Sequence, residues 1–113
     1  MLSPLDAVES LAALAQEHRL AAYRLLVQAG DLGLSAGSIA ERLGLPPSSL
    51  SFHLTHLVRA GLIEQQRQGR SQIYRANYVA MISLIDFLTE NCCGGAACGP
   101  AIACAPATRE DAA

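Results

Sequence analysis

A chain of 113 residues carries one domain, and with 51% hydrophobic and only 16% charged residues it is neither a disordered tail nor a highly charged linker. Aromatics reach just 4% and Trp is absent, so the core is expected to be aliphatic, built on Leu, Ala, Ile and Val. The net charge of −2 speaks against a uniformly basic protein, and no apolar run approaches the roughly 18 residues that span a bilayer. The N-terminus lacks the basic-then-apolar pattern of a signal peptide, so the chain reads as a soluble cytoplasmic protein with no membrane partner.

The first element, Leu5 to about Gly30, is helical in period. Leu5, Val8, Leu11, Ala12 and Ala15 form one apolar stripe, and Leu20, Tyr23, Leu26 and Val27 form another. The polar stretch Gln16-Glu17-His18-Arg19 between them predicts a break into two helices. After a turn at Gly30-Asp31-Leu32-Gly33, Ser35 caps a short helix with Ile39, Ala40 and Leu43 on its apolar face, and Gly44 stops it. Pro47 then suits the first turn of a helix that buries Leu50, Leu54, Leu57 and Val58 and shows Ser48, Ser51, Phe52, Thr55 and Arg59. That helix ends at Ala60-Gly61.

Two short helices joined by a tight turn, the second with a polar outward face, make a helix-turn-helix. Leu62–Gln66 and Ser71–Arg75 then read as two strands around Arg67-Gln68-Gly69-Arg70, and a hairpin directly after such a helix is a wing. The charge is distributed to match. Residues 36–78 hold Arg42, Arg59, Arg67, Arg70 and Arg75 against Glu41 and Glu64, a net +3, while the remainder nets −5. Phosphates respond to local charge within a Debye length, so the middle is basic where it matters. Ser48, Ser49 and Ser51 on the second helix and Arg67 and Arg70 at the wing tip are the candidate DNA contacts. His53 reads equally as a half-buried hydrogen-bonding residue and as a base reader.

Residues 78–93 are expected to form a last helix, with Tyr78, Met81, Ile82, Ile85 and Leu88 on one face and Val79, Leu84 and Phe87 filling much of the rest. A terminal helix this apolar needs cover, which predicts a homodimer through the first and last helices. The organisation is therefore a domain over 1–93 and a flexible Gly-, Ala- and Pro-rich tail over 94–113. The fold class is mainly α with a small β-hairpin, a winged helix-turn-helix with a two-stranded wing.

This order resembles the ArsR/SmtB family of winged-helix metal-sensing repressors over roughly residues 10–93. The resemblance is carried by Ser38-Ile39-Ala40-Glu41-Arg42-Leu43-Gly44, by Leu50-Ser51-Phe52-His53-Leu54-Thr55-His56-Leu57, by Ala60-Gly61-Leu62-Ile63, and by Arg67-Gln68-Gly69-Arg70 with Tyr74. Gln16-Glu17 stands where many members have Asp-Pro, and Pro46 replaces a usual capping Ser, so two helices are expected to start less sharply. The resemblance implies a dimeric repressor on double-stranded operator DNA with an inverted repeat, released by an inducer. Two inducer sites found in the family are not matched. The helix from Ser35 to Leu43 has no Cys, and on the last helix Asp86 and Glu90 have no His beyond His56 to join them.

The cysteines all lie late, at Cys92, Cys93, Cys98 and Cys104. They staple no distant segments, as a secreted disulfide framework would, and read as cytosolic thiols. The adjacent pair with Cys98 after four further residues is similar to the ArsR subgroup whose C-terminal site binds arsenite. The resemblance makes As(III) the inducer, with Cys92, Cys93 and Cys98 as three thiolate ligands and release of an arsenic-resistance operon as the outcome. The chemistry agrees, since soft trivalent arsenic takes three thiolates in a pyramid. Neighbouring residues of a continuous helix point about 100° apart, so the pair can share one ion only where the helix frays, which Gly94-Gly95 would permit. Cys104 is left out, because Cys-Cys-x4-Cys-x5-Cys lacks the paired Cys-x2-Cys knuckles of structural zinc. An organoarsenical such as methylarsenite, another soft metal and thiol oxidation remain open as signals, as does a metalloid-carrying thiol protein. An enzyme is not expected: no Cys–His–acid constellation, phosphate loop or cofactor fingerprint is present.

Overall fold

The computed structural model describes residues 2–95. Five helices and three strands follow in the order α1 (Pro4–Leu14), α2 (Glu17–Ala29), β1 (Leu34–Ser35), α3 (Ala36–Leu43), α4 (Pro47–Arg59), β2 (Ile63–Gln68), β3 (Ser71–Ala76) and α5 (Tyr78–Thr89). Ser3 opens α1 with a capping box: its hydroxyl accepts from Asp6 N at 3.1 Å, and the Asp6 carboxylate accepts from Ser3 N. The break after α1 falls at Ala15-Gln16, slightly earlier than the polar stretch suggested. Gln16 begins α2 sharply, contrary to expectation, because its side-chain oxygen accepts from His18 N and Arg19 N at 2.8 and 3.0 Å. Pro46 precedes α4 without a side-chain cap, as its chemistry requires.

Both helices of the helix-turn-helix end in the same way. Gly44 takes a left-handed conformation after α3, Leu45 N donates to Ala40 O at 3.0 Å, and Gly44 N donates to Glu41 O at 3.3 Å. After α4, Gly61 has φ +78, Leu62 N donates to Leu57 O at 3.1 Å, and Gly61 N donates to Val58 O at 2.9 Å. Each is a Schellman ending, in which glycine supplies the backbone turn that L side chains resist. The second delivers Leu62 directly into the core and starts the wing. That core joins Leu26 of α2, Ile39 of α3, Leu50, Leu54 and Leu57 of α4, and Leu62.

The wing is longer than predicted, and the sheet has three strands rather than two. β2 and β3 pair antiparallel from Ile63↔Ala76 to Gln68↔Ser71, leaving a two-residue turn at Gly69-Arg70. Gly69 has φ +60 in this turn. β1 pairs with the other edge of β3, Leu34↔Tyr74 and Ser35↔Ile73, giving the order β1-β3-β2. Gly33 makes that approach possible. Its φ of +67 and ψ of −168 suit glycine alone, and an added Cβ would run into the Tyr74 carbonyl oxygen. Arg75 reinforces the joint, donating from Nε to Asp31 O at 2.7 Å and from Nη2 to Gln66 Oε1 at 2.6 Å.

α5 stops at Thr89 instead of residue 93, because Glu90 is extended and Asn91 takes φ +55. Its buried residue is Leu84; Val79, Ile82 and Leu88 of its apolar surface are exposed. α1 is similar: the small residues Ala7, Ser10 and Ala13 face inward, while the expected stripe of Leu5, Val8 and Leu11 is exposed. The expected tail falls almost wholly outside the described residues, and with it Cys98 and Cys104. Replacing Gly33 by Ala is expected to lower stability by about 1–3 kcal/mol from backbone strain alone, read by urea denaturation. An unchanged midpoint would show that β1 does not need the close approach.

Candidate nucleic-acid interface and thiol pair

At 3.6 residues per turn, Ser48, Ser51, Phe52, Thr55 and Arg59 fall within a sector of about 100° on α4. All five are exposed, opposite the edge carrying Leu50, Leu54 and Leu57. Ser49 is also exposed, on the shoulder of this stripe. The predicted serines therefore share one solvent-facing region. Phe52, Thr55 and Arg59, not among the candidate contacts above, share this surface, and their i+4, i+7 and i+11 spacing from Ser48 carries that signal.

His53 belongs elsewhere. It is half-buried, its ring centroid lies 5.6 Å from that of His18 at the start of α2, and its Nδ1 is buried without a hydrogen-bond partner. It is half-buried, but Nδ1 lacks the hydrogen bond that the half-buried reading included. Burial holds the imidazole below its ordinary value of 6.5, and the neighbouring charges of Arg19, His18 and His56 push in the same direction.

Arg67 and Arg70 are both exposed, Arg70 in the turn itself and Arg67 opposite Gln72. The alternation of β2 puts Arg67 on the face that Ile63 and Ala76 bury nearer the core, so it lies on the helix side of the wing. Arg75 keeps its charge, but its guanidinium is anchored to the Asp31 backbone oxygen and the Gln66 side-chain amide within the fold. The serines of α4 and the arginines of the wing thus provide short hydrogen-bonding groups on a helix and long cationic groups on an adjacent hairpin. That combination suits base edges in a major groove and phosphates beside it.

The second feature lies past the end of α5. Cys92 and Cys93 are exposed on a turn over Cys92–Gly95, and Cys93 and Gly94 take φ of +59 and +69. Because the helix has already stopped, the two thiols converge, with Sγ atoms 3.7 Å apart. At that distance the two sulfurs are in contact, as an S–H···S pair is. Asp86 and Glu90 are both exposed, and among the described residues no group of three or more His, Cys, Asp and Glu could hold a metal ion.

A buried-backed helix-turn-helix with a polar outer stripe, followed by a hairpin with arginines at its tip, defines a winged helix-turn-helix, the DNA-binding domain of a transcriptional regulator. A family model described as a helix-turn-helix domain matches residues 14–66. The chain is 33% identical over 87 residues to the transcriptional activator HlyU of Vibrio cholerae, covering 77% of this chain and 78% of that protein. It is similar to the structure of an ArsR-like transcriptional regulator from Rhodococcus sp. RHA1, with a TM-score of 0.66 and 30% identity over 74% of this chain and 76% of that one. A homodimeric winged helix-turn-helix DNA-binding domain from Mycobacterium bovis, a possible ArsR-family regulator, matches with a TM-score of 0.60 and 27% identity, covering 85% and 90% of the two chains. The chain belongs to the ArsR family of winged helix-turn-helix transcriptional regulators. These relatives are regulators rather than enzymes, and among the described residues no helix is long and apolar enough to cross a membrane.

Two outcomes follow for the residues of this region. Arg67→Ala and Arg70→Ala should each weaken DNA binding and reduce the slope of log affinity against log salt by about 1; unchanged slopes in both would remove the wing from the interface. For His53, the unfolded chain takes up a proton near pH 6.5 that the folded chain resists. The unfolded state then binds more protons, so stability falls as pH drops through that value, and levels off once the folded protein is protonated too. Urea unfolding across this range should show the fall in wild type and a flatter profile in His53→Gln. Identical profiles would clear His53 of it.

Proposed function

We propose that the chain is a homodimeric repressor of an arsenic-resistance operon, bound to an inverted-repeat operator and released when arsenite is captured by Cys92, Cys93 and Cys98. The observation that carries this reading is the 3.7 Å separation of the Cys92 and Cys93 sulfurs on a turn beyond α5. The pair needs no melting of a helix to chelate one ion. Cys98, which lies outside the described residues, supplies the third thiolate of the proposal. The step balances: each thiol proton leaves with one hydroxide of arsenous acid as water, and three As–S bonds replace three As–O bonds. Thiolate donors select soft acceptors over the hard cations that oxygen ligands prefer.

The dimer is supported by the exposed apolar surface of α1 and α5, where Leu5 is 67% and Val79 76% exposed, and by the homodimeric Mycobacterium bovis relative. Such a dimer would present two copies of α4 to successive turns of an operator. The thiol turn also has a physical route to α4. Asn77 caps α5 by accepting from Ala80 N at 3.2 Å, while its Nδ2 donates to Gly61 O at 3.1 Å and its N to Leu62 O at 2.9 Å. The helix that carries the thiols at one end therefore holds the end of α4 at the other. Tyr78 adds a bond from its hydroxyl to Val27 O of α2 at 3.0 Å. An ion that pulls on the far end of α5 would tilt this joint and change the spacing of the two copies of α4. A coupling of about 1–3 kcal/mol is typical, and corresponds to a loss of operator affinity of about 5–150-fold.

Fluorescence anisotropy on a labelled fragment from upstream of the chain's own gene tests the proposal. Arsenite should release reduced wild type but not Cys92→Ser, Cys93→Ser or Cys98→Ser. DNA binding that arsenite leaves untouched would end the arsenite reading, and release of Cys98→Ser by methylarsenite would make the signal an organoarsenical held by the pair alone. Sedimentation at micromolar concentration should show a dimer; a monomer would remove that part of the proposal.

A further inference from the structure

The one large apolar side chain on the outward stripe of α4 is Phe52, and 61% of its surface is exposed. A phenyl ring in water is unfavourable by roughly 25 cal/mol for each Å² that it could have buried, so its position calls for a reason. The core does not supply one, since Leu50, Leu54 and Leu57 on the opposite edge are already sealed. The surface expected to meet a second copy lies on α1 and α5, on other helices.

The ring is oriented rather than loose. It meets His56 edge-on at 4.7 Å between centroids with 72° between planes, and His53 at 5.8 Å and 61°. Its neighbours along the stripe are short: Ser48 one turn before, Ser51 beside it, and Thr55 nearly one turn after. Thr55 commits its hydroxyl to Ser51 O at 2.9 Å, so it is less available as a donor to a base. The middle of the stripe is thus an apolar projection between hydroxyl groups. In the major groove, the thymine C5-methyl is the apolar group that a base pair presents.

We infer that Phe52 is a specificity-determining residue that packs against a thymine methyl in the major groove, so that the operator carries thymine at that position of each half-site. The inference rests on the DNA-binding class and is independent of arsenite. The test uses reduced full-length protein and two versions of the upstream duplex, one normal and one with every thymine replaced by deoxyuridine, which lacks only the methyl. Wild type should bind the uracil duplex about fourfold more weakly for each methyl contacted, the equivalent of one buried methylene. Phe52→Ala should bind normal DNA more weakly and show no preference between the two duplexes, and Phe52→Leu should keep a reduced preference. Circular dichroism checks that both variants fold. The same thymine-over-uracil ratio in wild type and Phe52→Ala, or no ratio in wild type, would overturn the inference while leaving DNA binding intact. Failure of wild type to bind either duplex would sink the DNA-binding premise, and the inference with it.

Discussion

Leu50, Leu54 and Leu57 along one edge of α4 pack with Leu26, Ile39 and Leu62, and all six side chains are at most 1% exposed. Truncating one such leucine to Ala costs about 2–5 kcal/mol, a large share of the roughly 5–15 kcal/mol that holds a domain together. This edge therefore leaves α4 little freedom to roll about its axis. Once that rotation is set, Ser48, Ser51, Phe52, Thr55 and Arg59 have no choice but to face solvent. The outward polar stripe of α4 is a consequence of the core rather than a separate construction.

The same constraint positions the wing and the last helix. Leu62 belongs both to the Schellman ending of α4 and to the core, so β2 starts from a fixed point. β3 returns antiparallel along it, β1 closes the other edge, and Asn77 hooks the start of α5 back onto Gly61 and Leu62. The thiol turn and the outer stripe of α4 thus lie at opposite ends of one connected piece. Through that connection a displacement of α5 reaches α4: a shift at Asn77 cannot leave the end of α4 unaffected unless those bonds break.

Much of this was legible in the residues because the controlling signals are local. Ser35 as a cap, Gly44 and Gly61 as helix endings, Pro47 at a helix start and Gly69 in the hairpin turn each act within a few residues. What the residues did not reveal depends on distant partners. β1 is two residues long and exists because Gly33 lets the chain lie against Tyr74, about forty residues away, so no periodicity announces it. In α1 the apolar stripe was legible, but not that close packing within the chain selects Ala7, Ser10 and Ala13 and leaves Leu5, Val8 and Leu11 outside. The early end of α5 comes where Glu90 turns extended and Asn91, among the side chains that most readily adopt a left-handed conformation, follows it before the Gly pair is reached. His53 was ambiguous because helical spacing puts it on a shoulder, and its ring contact with His18 comes from a distant helix that spacing alone does not reveal.

Coupling between the thiols and operator binding, as proposed, has a reciprocal form by linkage. If arsenite weakens operator binding by some factor, operator DNA must weaken arsenite binding by the same factor. The most direct test is to titrate arsenite into reduced protein by thiol absorbance, with and without saturating operator duplex. DNA should lower arsenite affinity by about 5–150-fold, matching the factor by which arsenite lowers DNA affinity. Equal arsenite affinity in both titrations would contradict it, and would leave a DNA-binding protein whose cysteines serve some other end.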